Sequence, residues 1–202
     1  TASKSTFGIK HENRTTMKTL KTIITISLFL AFQSTLLAQR GKKEIEVPKM
    51  PMDSTTMQIT YREVVEIKGT KAELFARFTE WVSLYYKTTT VIKSADEESG
   101  LVEITSRVKI YSTAKDGTKI MSGLVNYNFT MEMKEGRYRY TFTRFSVKAQ
   151  AFQPIEPWLD NTNKEWFPAR YDNLKEVDEQ INEIIVSLKE GMKPKEVKKD
   201  DW

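Results

Sequence analysis

The chain has 202 residues, no cysteine and one histidine, and 32 basic residues against 27 acidic ones give a formal charge of +5. Without cysteine there are no disulfides and no thiolate chemistry, so stability must come from the hydrophobic core. This length is sufficient for one domain of ordinary size.

Residues 17–38 have the three-part pattern of a secretory signal peptide. Met17 precedes two lysines, a mostly apolar run of about ten residues follows at 23–32, and Ala38 is a small residue at the predicted cleavage position. The run is about half as long as a membrane-spanning helix, which favours a cleaved peptide over an anchor. We therefore expect export to the periplasm or the medium, and we interpret residues 1–16 as an extension of the gene model.

Cleavage after Ala38 changes the charge and the chemistry of the chain. Residues 1–38 hold five basic residues and one acidic residue, so the mature chain has 27 against 26 and a formal charge of +1. His11 is removed with the same segment. Without histidine and cysteine, Ser-His-Asp and Cys-His nucleophiles and the metal sites built on those residues are excluded. A nearly neutral chain also gives no support to nucleic-acid binding.

The mature chain begins with a predicted flexible leader, residues 39–55, in which two prolines interrupt any regular element. Alternating apolar residues predict a half-buried strand over 57–67. Thr70 and Glu73 have the spacing of a capping box, in which each side chain satisfies a free backbone amide, so a helix is predicted to begin there. Its apolar residues recur every three or four positions and predict one aromatic face packed on a sheet. They are Leu74, Phe75, Phe78, Trp81, Val82 and Tyr85.

Four further strands and a second helix are predicted. A short β-branched segment at 88–92 precedes two long alternating segments, which are joined by Asp116-Gly117, a dipeptide that supplies the positive φ values of a hairpin. In the last strand, 137–149, the apolar residues change parity near Thr143, which predicts a β-bulge. Apolar residues at helical spacing then predict a helix over 171–190.

The predicted order is strand, helix, four strands, helix. Consecutive strands joined by hairpin turns are typical of an α+β fold, here an antiparallel sheet with both helices packed on one face. We expect one domain over residues 56–191, with Gly191 capping the last helix and a frayed tail at 192–202.

Three segments rich in packing residues stand out: YREVVEI at 61–67, ELFAR at 73–77 with EW at 80–81, and GRYRYTF at 136–142. They resemble a family of exported bacterial proteins of unknown function, described as having a TATA-box-binding-protein-like fold, over roughly residues 55–190. The resemblance implies one β-α-β4-α unit and an envelope or secreted location. It brings no catalytic or binding residues, and the fold name does not imply DNA binding, because function depends on the site.

Trp158, Trp166 and Phe167 are the preferred candidates for contact with a ligand or partner. They lie in an irregular, proline-containing connection at 150–169, and aromatic side chains are favoured at interfaces and at sugar- or peptide-binding surfaces. The alternative is that they only cap the end of the sheet.

Tyr127, Tyr138 and Tyr140 are the second set of candidates, on the predicted core side of the sheet. They either line a cavity for an apolar ligand between sheet and helices or belong to an ordinary filled core. A cavity of a few hundred Å³ would distinguish the two.

Other chemistry has weaker support in the sequence. Asp96-Glu97-Glu98 is contiguous, whereas calcium loops space their carboxylates at alternate positions, so a solvated turn is favoured. A hydrolase would need two converging carboxylates, for which the candidates are Glu63, Glu66, Glu156 and Asp160. We therefore predict a non-catalytic exported domain, without cofactor or metal ion, that binds an envelope protein, a peptide or an apolar small molecule. The alternatives are a carboxylate-based hydrolase and a structural assembly subunit.

Overall fold

The computed structural model of the protein describes residues 46–86, 91–149 and 151–195. From Val47 onwards they belong to one compact unit. The predicted gene-model extension, the predicted signal peptide, His11 and the chain after residue 195 lie outside the described residues. So do residues 39–45 of the predicted leader.

Six strands and two helices are found in the described part of the chain. They are β1 (Tyr61–Glu66), α1 (Lys71–Tyr86), β2 (Val91–Asp96), β3 (Leu101–Thr113), β4 (Lys119–Lys134), β5 (Arg137–Lys148), β6 (Phe152–Pro154) and α2 (Ala169–Gly191), with a 3-10 turn at Glu156–Leu159. The sheet is antiparallel in the order β1-β5-β4-β3-β2, and β6 pairs with the end of β5. The predicted α+β fold is confirmed, with β6 and the 3-10 turn as additional elements.

Both helices pack on one face of the sheet. Tyr61 and Phe129 are each paired with Phe142 in register, so the three side chains share a face. Phe129 stacks on Phe142 with ring centroids 4.2 Å apart, and Phe78 of α1 meets Phe129 edge-on at 5.6 Å. The Tyr61 hydroxyl donates to Asp178 of α2 at 2.7 Å. The core therefore lies between this face and the two helices.

The predicted start of α1 is confirmed by its capping box. The Thr70 amide donates to Glu73 Oε2 at 2.9 Å, and the Glu73 amide donates to Thr70 Oγ1 at 3.2 Å. One residue of the predicted buried face of α1 is not buried, since Tyr85 is 39% exposed. Tyr86 takes the buried position, where its hydroxyl shares a hydrogen bond with the Tyr127 hydroxyl at 3.0 Å.

The predicted β-bulge in β5 is also confirmed. The pairing with β4 shifts register between Asn126 and Asn128, and Arg144 has a φ of 57°. Because of the shift, Phe142 and Phe145 are both buried although they are three positions apart. Beyond the bulge β5 pairs with β6, whereas its first half pairs with β1.

The first strand is shorter than the predicted 57–67. Asp53 Oδ1 accepts two backbone amides at 2.9 and 3.0 Å, which forms a turn, and Met57 just after it has a φ of 56°. Ile59 is buried through an isolated bridge to Met52, not through a continuous strand. The alternating apolar pattern over 57–67 therefore covers two separate elements, the isolated bridge at Ile59 and strand β1.

The end of α2 is not the glycine cap that the sequence predicted. Gly191 is the last residue of the helix, and the Met192 amide still donates to the Leu188 carbonyl at 2.9 Å. A Cβ on Gly191 would lie 2.4 Å from Trp81 Cδ1, so glycine is needed for close packing of α2 on α1. Neither helix in the described ranges is long and apolar enough to span a bilayer.

Candidate ligand-binding site in the aromatic loop

Residues 152–170, which comprise β6, the 3-10 turn and the first two residues of α2, are here called the aromatic loop. Its side chains fold it on itself, since Asp160 Oδ1 accepts the Thr162 amide at 2.9 Å and Asn163 Oδ1 accepts the Glu165 amide at 3.0 Å. The loop is also tied to the rest of the domain, because Glu156 Oε1 accepts the Ile59 amide at 2.9 Å.

Arg170 contacts two aromatic rings of this loop. Its guanidinium carbon is 4.3 Å from the Trp158 ring centroid and 4.5 Å from the Phe167 centroid. Trp166 packs edge-on against Tyr171, with centroids 4.9 Å apart. All three predicted loop aromatics are therefore brought together around the start of α2. Trp158 is buried, Trp166 is half-buried and Phe167 is exposed.

A concavity of about 240 Å³ lies beside this stack. Apolar rings form about half of its wall, and four polar side chains form the rest. The apolar residues are Pro154, Pro157, Trp158 and Trp166, and the polar ones are Gln153, Asn163, Glu165 and Arg170. Apolar walls with a few converging polar groups are the usual composition of a small-molecule site.

Two buried donors at this concavity have no acceptor among the described residues. They are Trp166 Nε1 and Arg170 Nε. Arg170 also forms no ion pair with a described residue. Burial lowers the pKa of its guanidinium, and the charge of Glu165 opposes that effect. An arginine stays protonated under such conditions, so the concavity borders a partly buried cation that forms no ion pair with a described residue.

The three predicted tyrosines lie on the helix-facing side of the sheet, and none of them lines the concavity. Tyr127 contacts Tyr86, as described above, and the Tyr140 hydroxyl donates to Glu63 Oε2 at 2.6 Å. The Tyr138 hydroxyl is buried without an acceptor in the described ranges. Burial, with a contribution from Glu63, raises the pKa of Tyr138 to about 12. Their rings are core residues in this structure, and a role in ligand contact stays a prediction.

A wider groove of about 860 Å³ lies between α1 and α2. Trp81 and Val186 line its floor, and three glutamates of α2 surround it. The Trp81 Nε1 donor is already paired with Ser187 Oγ at 3.1 Å. This groove is open to solvent and offers no unsatisfied buried group, so we do not assign a ligand to it.

Three of the four candidate carboxylates are engaged in separate structural contacts. Glu63 binds Lys189, Glu156 accepts the Ile59 amide, Asp160 caps the turn described above, and Glu66 is exposed on β1. Asp96 likewise accepts backbone amides of its own turn. In the described part of the chain, no group of three or more potential metal-ligating side chains is found.

Sequence reasoning missed Arg170. A signal was present, because Phe167 and Arg170 are three positions apart at the start of a helix and so lie on neighbouring surface positions. The contribution of Trp158 to the same stack has no local signal, since it depends on how the 3-10 turn folds back.

Residues 61–148 match the family model of DUF4468, a domain of unknown function with a TBP-like fold. The family resemblance inferred from the sequence is confirmed. A DUF4468 family protein from Bacteroides ovatus is similar in structure, with a TM-score of 0.57, 15% identity, and coverage of 79% of this chain and 99% of that one. A TBP-like protein from Parabacteroides distasonis has a TM-score of 0.55 and 13% identity, over 70% of this chain and 96% of its own.

At these identities the likeness to DUF4468 structures shows the fold alone. No curated protein matches the chain at a significant level. The aromatic loop lies after residue 148, beyond the stretch that matches the DUF4468 family model.

Proposed function

We propose that this protein is a non-catalytic binding module that acts outside the cytoplasm, and that the concavity of the aromatic loop holds its ligand. The observation that carries this proposal is the pair of buried donors at this concavity, Trp166 Nε1 and Arg170 Nε, neither of which has a hydrogen-bond partner among the described residues. An unpaired buried donor costs about 1–3 kcal/mol. A ligand that supplies acceptors recovers part of that cost, which contributes to binding.

The rigidity of the surrounding loop supports the proposal. Ile155 and Trp158 are buried, and the Tyr171 hydroxyl donates to the Leu159 carbonyl at 3.1 Å. These contacts anchor the loop around the concavity without any ligand. Preorganisation of this kind lowers the entropic cost of binding.

The signal-peptide pattern of residues 17–38 supports the location. The candidate site uses no histidine or cysteine, so removal of the N-terminal segment leaves all of its residues in the mature chain. An envelope component or a small molecule from the medium is the class of ligand that such a module would meet.

Native mass spectrometry of the protein purified from its own host tests this function. We expect wild type to retain a ligand mass and Arg170→Gln to lose it. Phe152→Ala is the matched control, because Phe152 is an exposed aromatic of β6 that does not line the concavity. If the wild type carries no additional mass, or if Arg170→Gln retains the same mass as wild type, the proposed site is wrong.

A further inference from the structure

The guanidinium of Arg170 is held by aromatic rings and has N–H groups without a partner. Its carbon lies 4.3 Å from the Trp158 ring centroid and 4.5 Å from the Phe167 ring centroid. All five N–H groups of arginine point outwards in the plane of the group, so ring contacts do not use these donors. The two rings therefore restrict the orientation of the guanidinium and leave its hydrogen-bonding capacity unused.

The guanidinium has no acceptor in the described part of the chain. Arg170 Nε is buried and unpaired, and no side-chain hydrogen bond from Arg170 to a described residue is found. Trp166 Nε1 supplies a further unpaired donor at the same concavity. The site thus presents several donors and one positive charge.

A carboxylate is the ligand group that fits these donors. It accepts hydrogen bonds through two oxygens, donates none, and pairs with the planar fork of arginine by two parallel bonds. From this complementarity we infer that the concavity binds an organic carboxylate, with its oxygens on Arg170 and Trp166 Nε1 and its carbon part against Trp158 and Pro157. The inference rests on the proposed function, that is, on the aromatic loop being a ligand site.

The size of the concavity limits the ligand. About 240 Å³ is less than the 300 to 1,000 Å³ typical of sites for drug-sized molecules. The space suits one amino-acid residue or one sugar ring. A free peptide C-terminus and a sugar acid present the same carboxylate chemistry on groups of this size, so the experiment must distinguish these two sources.

Phe167 is the exposed ring of the stack. It is 46% exposed, whereas Trp158 is 7% exposed. Because Arg170 Nε and Trp166 Nε1 are buried, the outer nitrogens of Arg170 meet the carboxylate first. Contact with the two buried atoms then requires a side chain around them to shift, and we assign that shift to the exposed Phe167 ring beside the guanidinium.

Glu165 opposes the ligand. It lines the concavity, and its charge acts on Arg170, yet the two form no ion pair in the described residues. Its carboxylate therefore repels an incoming carboxylate and does not replace it. Removing this charge should strengthen the binding of a carboxylate ligand. It should not change the binding of a purely apolar ligand.

Isothermal titration calorimetry with the protein purified from its host, freed of retained ligand, tests this inference. The probes are N-acetylphenylalanine and its amide for the peptide source, and glucuronate and glucose for the sugar source. At least one acid should bind about tenfold more tightly than its neutral counterpart, since charged hydrogen bonds are about twice as strong as neutral ones. The acid that binds identifies the source.

Four variants accompany these titrations. Arg170→Gln should abolish the preference for the acid over its neutral counterpart. Trp166→Phe, which keeps a ring against Tyr171, should lower the affinity for the acid about three- to tenfold. Glu165→Gln should raise that affinity about two- to threefold. Arg107→Gln is the matched control, because Arg107 is exposed on β3 and should leave all affinities unchanged. Circular dichroism of each variant confirms that it is folded.

The outcomes separate this inference from the proposed function. If the neutral probes bind as tightly as the acids and Arg170→Gln weakens both equally, the loop is a ligand site but the carboxylate inference is wrong. If no acid binds at 10 mM, on the order of the weakest specific sites, the inference is also wrong. If in addition no retained mass depends on Arg170, both proposals fail.

Discussion

Arg144 occupies a backbone conformation that suits glycine better than arginine. Its φ of 57° lies in the left-handed region, which costs a residue with a Cβ about 1 kcal/mol. We therefore expect Arg144→Gly to leave the free energy of unfolding unchanged or to raise it by up to about 1 kcal/mol. Urea denaturation measures this.

A second arginine provides the control for that change. Arg107 is exposed within β3, where glycine lowers stability by about 0.5–1 kcal/mol. Replacement of arginine by glycine should thus change the free energy of unfolding in opposite directions at the two positions. An equal loss at both would show that Arg144 is not strained in solution.

Gly191 is required for a close contact between the two helices. Because an added Cβ would lie 2.4 Å from Trp81 Cδ1, Gly191→Ala should lower the free energy of unfolding by about 1–3 kcal/mol. Helix propensity alone predicts that alanine raises the free energy of unfolding by about 1 kcal/mol. The sign of the measured change therefore shows whether the clash with Trp81 outweighs helix propensity. Gly123→Ala is a suitable comparison, since its Cβ would lie 3.4 Å from Ile110 Cδ1, an ordinary contact. Thermal unfolding of the two variants measures the difference.

At the level of secondary-structure elements, Glu63 joins β1 to α2 and to β5. Lys189 Nζ contacts Glu63 Oε2 at 2.7 Å, and the Tyr140 hydroxyl donates to the same oxygen at 2.6 Å. Lys189 first, and Tyr140 second, hold the pKa of Glu63 below its usual range. These bonds therefore favour the folded state when Glu63 is ionised.

This contact predicts a pH dependence of stability. Because the folded-state pKa is lowered, the contribution of Glu63 is complete above the unfolded pKa of about 4.3 and is lost as pH falls through the lower folded value. Glu63 is 46% exposed, so we expect at most about 1 kcal/mol. Urea denaturation between pH 6 and about 3 should show a smaller decline for Glu63→Gln than for wild type. Glu66→Gln, on the same strand, is the control and should follow wild type; a Glu63→Gln curve parallel to wild type would contradict the prediction.

The elements that sequence reasoning predicted correctly are those determined by local chemistry. The capping box at Thr70 and Glu73, the Asp116-Gly117 hairpin and the parity change in β5 each have a short-range physical cause. β6 was missed, because a three-residue strand that contains Pro154 has no periodicity to detect. β6 pairs with the part of β5 beyond the bulge, so its formation depends on tertiary structure and not on local sequence.

The candidate site shows the same limit. Trp158, Trp166 and Phe167 could be selected from composition alone, because several aromatics in a proline-containing loop are unusual. The stack around Arg170 could not, since it depends on the way in which a 3-10 turn and a helix start meet. Burial of Tyr127 followed from strand parity, but whether it lines a cavity depends on the side chains of α1 opposite it.

Across the whole molecule, the two faces of the sheet differ in chemistry. The face opposite the helices carries polar side chains, among them Arg139, which donates two hydrogen bonds of 2.6 Å to Glu132. A minor-groove binder of TBP type needs a free basic surface with apolar wedges. Arg139 is paired with Glu132 on this face, and the absence of a nucleic-acid partner stays a prediction.

Export is the property of the whole chain that most needs a direct test. N-terminal sequencing of protein recovered from the periplasm and the medium should give a first residue at or near Gln39. Ala38→Asp should block cleavage, because a small residue is needed at that position, whereas Gln39→Asn should be processed normally. The mature protein should also focus near neutral pH, well below the isoelectric point of 9.2 of the whole chain, since five basic residues are removed with one acidic residue. A cytoplasmic protein that retains residues 1–38 would contradict both the location and the charge argument against nucleic-acid binding, because the basic excess would then persist in the working protein.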